Sequence, residues 1–208
     1  MKTLLQLTSS LFSENGQSSR LAETFVARWK DANPGAQVIV RDLARSPVPH
    51  LDAARFGAFL AQPESRTAEQ HAVIRYSDAL IEELRRADVI VIGLPMYNFG
   101  VPSTLKAYFD HIARAGVTFR YTEKGAIGLL SGKQAYVFAT RGGKYAGTPF
   151  DLETGFVRQF LAFIGIADVE FIYAEGLALG EASVQSSLSG AHAAIDRIAD
   201  TEALALAA

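Results

Sequence analysis

Residues 87–100 read Ala87-Asp88-Val89-Ile90-Val91-Ile92-Gly93-Leu94-Pro95-Met96-Tyr97-Asn98-Phe99-Gly100, a short and largely β-branched apolar run stopped by proline. That pattern predicts a strand buried on both faces of a parallel sheet. Proline cannot donate to a β-ladder, so Pro95 ends the strand and residues 96–100 become a loop at its carboxyl end, where open α/β sheets bind their ligands. Pro102 then opens a helix. The loop offers backbone N–H groups, an amide side chain and two aromatic rings at one point, which suits a flat, hydrogen-bonding, polarisable ligand.

Outward from this strand, Lys2 to Leu7, Gln37 to Val40, Gln134 to Ala139 and Val169 to Tyr173 also read as strands. Amphipathic helices lie between them. Leu21, Ala22, Phe25, Val26 and Trp29 mark the face of the first, and a weak helix is expected from Asp52 to Ala61. A capping box at Thr67-Ala68-Glu69-Gln70 starts a long helix with Val73, Ser77, Leu80, Ile81 and Leu84 on one face. Leu105, Tyr108, Phe109 and Ile112 mark the next, and a helix carrying Phe156, Phe160, Leu161 and Ile164 closes at Gly165. The last runs from about Ala182 to Ala199, ahead of an alanine-rich tail expected to fray. Five strands alternating with helices imply an α/β fold of three α/β/α layers, with a five-stranded parallel sheet expected in the order 2-1-3-4-5. Residues 1–208 are expected to form one domain, since no linker or internal repeat interrupts them.

Composition removes several classes of function. The formal charge is -2, with Lys and Arg spread along the chain, so no basic patch tracks a nucleic acid. The absence of cysteine removes disulfides, thiolate catalysis and iron–sulfur clusters, and leaves any redox chemistry to a cofactor. His50, His71, His111 and His192 occur singly, so no metal site is expected. No G-x-x-x-x-G-K-[ST] loop is present, and no G-x-G-x-x-G follows the first strand. Polar residues interrupt the apolar start at Gln6 and Thr8, and no run reaches the ~20 residues of a membrane helix, so a cytoplasmic protein without a membrane partner is expected.

Three loops carry the candidate chemistry. Ser9, Ser10, Ser18 and Ser19 flank the start of the first helix, where hydroxyls, backbone N–H groups and the helix dipole can hold a phosphate. Taken alone, the cluster reads more readily as a helix N-cap at Ser18 or Ser19 beside an ordinary loop. Thr140-Arg141-Gly142-Gly143 follows the fourth strand in the same topological place as the Met96 loop. In the expected order the first and third strands are neighbours, so the three loops converge on one crevice. Convergence favours a flavin, because each loop alone is ambiguous. Residues 116–121 alternate apolar and polar ahead of Gly125, Gly128 and Gly132, predicting an extended flap whose Phe119 and Tyr121 face either a ligand or the core.

The sequence resembles the FMN-dependent NADH-azoreductases, which are related to NAD(P)H quinone oxidoreductases within the flavodoxin-like fold. The resemblance covers nearly the whole chain. Its motifs are Pro95-Met96-Tyr97-Asn98-Phe99, Arg114-Ala115-Gly116-Val117-Thr118-Phe119-Arg120-Tyr121-Thr122-Glu123, Arg141-Gly142-Gly143, Phe163-Ile164-Gly165-Ile166 and Ala174-Glu175-Gly176. It implies a bound FMN with its phosphate held at Ser10, Gln17 and Ser18. The ring would lie between Met96, Tyr97, Asn98 and Phe99 on one side and Thr140, Arg141, Gly142 and Gly143 on the other. The family usually has serine at position 140, and reads Ser-Gln-Ser where this chain has Gly16-Gln17-Ser18, leaving one hydroxyl fewer and the Gly16 N–H as a donor. The resemblance also implies a homodimer with the flavin at the interface, and NADH or NADPH as hydride donor to quinones or azo compounds. No catalytic side chain is needed, because the chemistry is carried by the flavin. Phe99, Phe119, Tyr121 and Phe150 are the expected substrate walls. The alternatives are a flavodoxin-type electron carrier, against which the near-neutral charge and aromatic flap argue, and a flavin-free binding domain.

Overall fold

A computed structural model describes the backbone of residues 1–207 and the side chains of residues 1–200. Strands β1 (Thr3–Thr8), β2 (Gln37–Asp42), β3 (Val89–Pro95), β6 (Gln134–Thr140) and β7 (Asp168–Ala174) pair in parallel in the order β2-β1-β3-β6-β7. The expected order counted five strands. The chain has two more, because β4 (Phe119–Thr122) and β5 (Gly125–Gly128) form a separate antiparallel hairpin and take the fourth and fifth numbers.

Every residue of β3 is buried, as its uninterrupted apolar run requires. Alternation then divides its side chains between two cores. Val89 and Val91 pack with Leu4, Tyr136, Phe138 and Ile172 beneath α1 (Gln17–Ala32) and α6 (Glu181–Ala207). Ile90 and Ile92 pack on the opposite face beneath α3 (Ala68–Arg86), α4 (Ser103–Ile112) and α5 (Leu152–Ile164). At about 1.5–3 kcal/mol for each large apolar side chain fully buried, these layers are the main support of the fold. The short α2 (Ala53–Leu60) is capped by Asp52, whose carboxylate accepts from the Arg55 N–H at 2.8 Å.

The Thr67–Gln70 capping box forms as read, but the face of α3 buries Ile74 in place of Val73. Helix α6 continues past the expected end at Ala199, and the fraying expected of the tail concerns side chains beyond Asp200 and the backbone of Ala208, outside the described residues. The hairpin docks on the last turn of α5, where the Leu130 N–H donates to the Ile164 carbonyl at 2.9 Å. Backbones approach so closely there that a Cβ at Gly128 would lie 2.0 Å from the Gly165 nitrogen. Since α5 ends just before β7 begins, the hairpin stands at the amino ends of the strands.

Candidate active site

At the carboxyl ends of β1, β3 and β6, Ser10, Phe12, Asn15, Gly16, Gln17, Pro95, Met96, Tyr97, Thr140, Arg141, Gly142 and Leu177 line a cleft of about 250 Å³. One wall is the start of α1. Its N-cap is Gly16, two residues before Ser18 and three before Ser19, and no side chain caps the helix. Ser18 and Ser19 are therefore not caps. Their hydroxyls are buried without a hydrogen-bond partner, beside N–H groups at the positive end of a helix of 16 residues. Ser9 is committed elsewhere, since its hydroxyl donates to the Gly93 carbonyl at 2.7 Å. Glycine at 16 has a packing reason: a Cβ there would lie 2.1 Å from the Ser10 Oγ. The Ser10 hydroxyl thus occupies the space that a serine at 16 would need.

The second wall is the turn after β3. Tyr97 and Gly100 exchange hydrogen bonds of 3.0 and 3.1 Å, closing a two-residue turn with Asn98 at φ 51° and Phe99 at φ 65°. Positive φ at both central positions is the demand of a primed turn, which asparagine meets readily. Phenylalanine does so at a cost of roughly 1–2 kcal/mol. Such strain in a non-glycine residue often marks a functional site. The turn's own bonds use Tyr97 and Gly100, which leaves the Asn98 and Phe99 N–H groups outside the ladder. The Leu11 N–H donates to the Tyr97 phenol oxygen at 3.1 Å, joining this wall to the first.

The third wall is Thr140–Gly143. The carbonyls of Arg141, Gly142 and Gly143 accept from the N–H groups of Leu177, Ala178 and Gly176 at 3.1, 3.0 and 2.8 Å. With these carbonyls engaged on one side, the glycine N–H groups are left for the other. The Arg141 side chain is fully buried, and its guanidinium donates to Asp151 at 2.8 Å, Thr154 at 2.7 Å and Glu175 at 3.2 Å. Glu175 also accepts from the N–H groups of Tyr145 and Ala146, each at 2.8 Å, so one carboxylate fixes both ends of the loop.

An unpartnered hydroxyl pair at a helix N-terminus and two facing loops with free N–H groups are the donor set that a phosphate and a flat heteroaromatic ring require, so the residues present fit FMN. Of the expected cofactor residues, Ser10, Gly16, Gln17, Met96, Tyr97, Thr140, Arg141 and Gly142 line the cleft together; Ser18, Asn98, Phe99 and Gly143 adjoin these in the same loops. Phe12, Asn15, Pro95 and Leu177 line it too, though the sequence reading did not select them for the site. Position was the available signal, because each ends a sheet strand or lies in the loop that follows one. Of the expected substrate walls, Phe99 meets Tyr145 edge-on at 5.6 Å, and Phe150 is exposed. Phe119 and Tyr121 lie on the hairpin at the far end of the sheet. Phe119 is buried against Phe163 at 4.2 Å, while Tyr121 is 74% exposed. His111 is buried, with its Nε2 3.0 Å from the Pro49 carbonyl. Among the described residues no group of three His, Cys, Asp or Glu side chains is placed to hold a metal, and no helix is long and apolar enough to cross a membrane.

A family model for the flavodoxin-like fold matches residues 1–199. The chain belongs to that family. Within it, the chain is 58% identical to an FMN-dependent NADH:quinone oxidoreductase of Cellvibrio japonicus, over 87% of this chain and 91% of that one. It is 55% identical to FMN-dependent NADH:quinone oxidoreductase 6 of Burkholderia lata, over 94% and 98%. Among solved flavodoxin-like structures, an FMN-dependent NADH-azoreductase of Bacillus anthracis in complex with FMN superposes with a TM-score of 0.85 at 26% identity, covering 96% of this chain and all of that one.

Proposed function

We propose that this chain is an FMN-dependent NADH:quinone oxidoreductase that also reduces azo compounds, working by two-electron transfer in a ping-pong cycle as one domain over residues 1–208. The observation that carries the reading is the cleft itself, formed by the start of α1 and two opposed loops, with the orphaned Ser18 hydroxyl adjoining it. Bound FMN supplies the chemistry, taking a hydride from NADH and passing it to the acceptor. The protein's part is binding and orientation. Ser10, Gln17, Ser18 and the first N–H groups of α1 hold the phosphate, with the Gly16 N–H standing in for a serine hydroxyl. Met96, Tyr97, Asn98 and Phe99 bear on one side of the ring, and Thr140, Arg141, Gly142 and Gly143 on the other. The Asn98 and Gly142 N–H groups stabilise negative charge on the ring. Phe99 and Phe150 supply flat apolar walls, and stacking on such walls discriminates little between quinones and azo dyes.

Phe119 and Tyr121 stand on the hairpin, at the end of the five-stranded sheet opposite this cleft. They can serve as walls only for a second copy, which fits the expected homodimer with the flavin at its interface. The exposed Tyr121, Ile127 and Leu129 of the hairpin region supply the apolar surface for that contact. A cytoplasmic location agrees with a cysteine-free chain that uses NADH.

An anaerobic absorbance titration tests the reading. A bound flavin spectrum should bleach with NADH and return with a quinone, in protein that runs as a dimer by light scattering. Protein that neither carries FMN nor binds it when added defeats the proposal.

A further inference from the structure

The Arg141 cluster holds one carboxyl that its guanidinium does not hydrogen-bond. Asp151 and Glu175 take direct hydrogen bonds from it, whereas Glu153 stands in ion-pair range without one. The Glu153 side chain is completely buried, its nearer oxygen 3.6 Å from the Arg141 Nε. Both Glu153 oxygens and that Nε lack a hydrogen-bond partner. The groups facing it are Arg141 from the loop after β6, Asp151 from the start of its own helix, and Glu175 beyond the end of β7; Tyr173 of β7 lies under the guanidinium at 5.2 Å.

We infer that Glu153 is a proton-carrying positioning residue, which acts through Arg141 to couple electron uptake by a ring held on the Thr140–Gly143 loop to proton uptake from solvent. The inference rests on the FMN reading above. Burial pushes the Glu153 carboxyl up to about 8, against the pull of Arg141 and with the charge of Asp151 adding to the rise. Asp151 is held low by its hydrogen bonds from Arg141 and Thr154 in spite of its own burial. Glu153 is therefore the member of the cluster whose charge can change near neutral pH. With Glu153 neutral, the guanidinium and two carboxylates sum to one negative charge; with it ionised, to two.

With FMN bound, hydride transfer from NADH would oxidise NADH and place negative charge beside the loop that Arg141 anchors. The Glu153 carboxylate would then take one proton from solvent, forming an O–H bond, and return it to solvent when the acceptor reoxidises the ring. Glu153 itself is neither oxidised nor reduced.

The test is the midpoint potential of the FMN-loaded protein between pH 6 and 10, by spectroelectrochemistry, for the natural chain and Glu153→Gln. The two curves should coincide at pH 6. Above pH 8 the natural chain should fall below the variant by about a tenfold loss in preference for reduced over oxidised FMN, or about 30 mV for two electrons. An infrared redox difference spectrum of the natural chain at pH 8.5 should show a protonated-carboxyl band appearing on reduction, and this band should be absent from Glu153→Gln. Parallel potential curves, or a natural chain without that band, overturn the inference while leaving the FMN reading in place. Protein that binds no FMN overturns both. Even where the variant folds poorly, a natural chain without the band overturns the inference.

Discussion

At the amino ends of the strands, Lys133 donates to the carbonyls of Arg85 and Ala87 at 2.9 and 2.6 Å, and Asp88 accepts from the Thr3 N–H at 2.8 Å. At the carboxyl ends, the Ser18 and Ser19 hydroxyls are buried without partners and Phe99 is held at φ 65°. Both ends belong to one sheet and share its two cores. What differs is whether polar groups are satisfied by the chain or left for something else, and stability and binding should therefore respond to mutation at different ends.

The most severe challenge to that division is Arg141→Met, because Arg141 is a carboxyl-end residue at the centre of a buried ion cluster. Removing it strands Asp151 and Glu175 and should cost about 3–5 kcal/mol, read from urea unfolding. A loss under about 1 kcal/mol would mean that the cluster is not held as the distances indicate. Ser18→Ala is the sharper case. It removes a hydroxyl with no partner, so stability should hold or rise slightly, while FMN affinity by fluorescence titration should fall about 10- to 100-fold. Equal losses in both would erase the contrast. At the other end, Lys133→Met should lower stability by about 1 kcal/mol, since it uncaps the last carbonyls of α3, with FMN affinity unchanged.

The smallest effect concerns pH. Burial first, and Arg55 second, hold the His111 imidazole below its usual range against the opposing hydrogen bond to Pro49. The unfolded chain takes up that proton near pH ~6.5 and the native chain resists it, so this contribution is full above that pH and declines as pH falls below it. Urea midpoints from pH 8 to 5 should fall less steeply in His111→Gln than in the natural chain. Identical slopes would remove His111 from the account.

Strands and loops were legible because they are local: an apolar run ending in Pro95, and glycines following Thr140, carry their meaning in adjacent residues. The roles of the serines were not. Whether Ser18 caps α1 or lies unpartnered inside it depends on where the helix begins, and that is set at Gly16, against which Ser10 packs. Phe119 and Tyr121 were read as flap aromatics from their alternation, which reports a face and not an end of the sheet. Glu153 left no signal at all. In the first turn of a helix a glutamate reads as an ordinary favourable charge, and only the tertiary position of Arg141 makes it a buried acid.

The bond from the Leu11 N–H to the Tyr97 phenol oxygen joins the loop after β1 to the turn after β3, the proposed phosphate and ring ends of the cleft. Ligand fragments should therefore not bind independently. Riboflavin seated against Tyr97 would steady the serine loop through that bond, and inorganic phosphate arriving second would find much of its ordering entropy already lost. The ester linkage of FMN adds a tether to this coupling, making capture of one half a local-concentration effect for the other. On the proposed site, a single tyrosine hydroxyl would thus let two modest half-sites act as one.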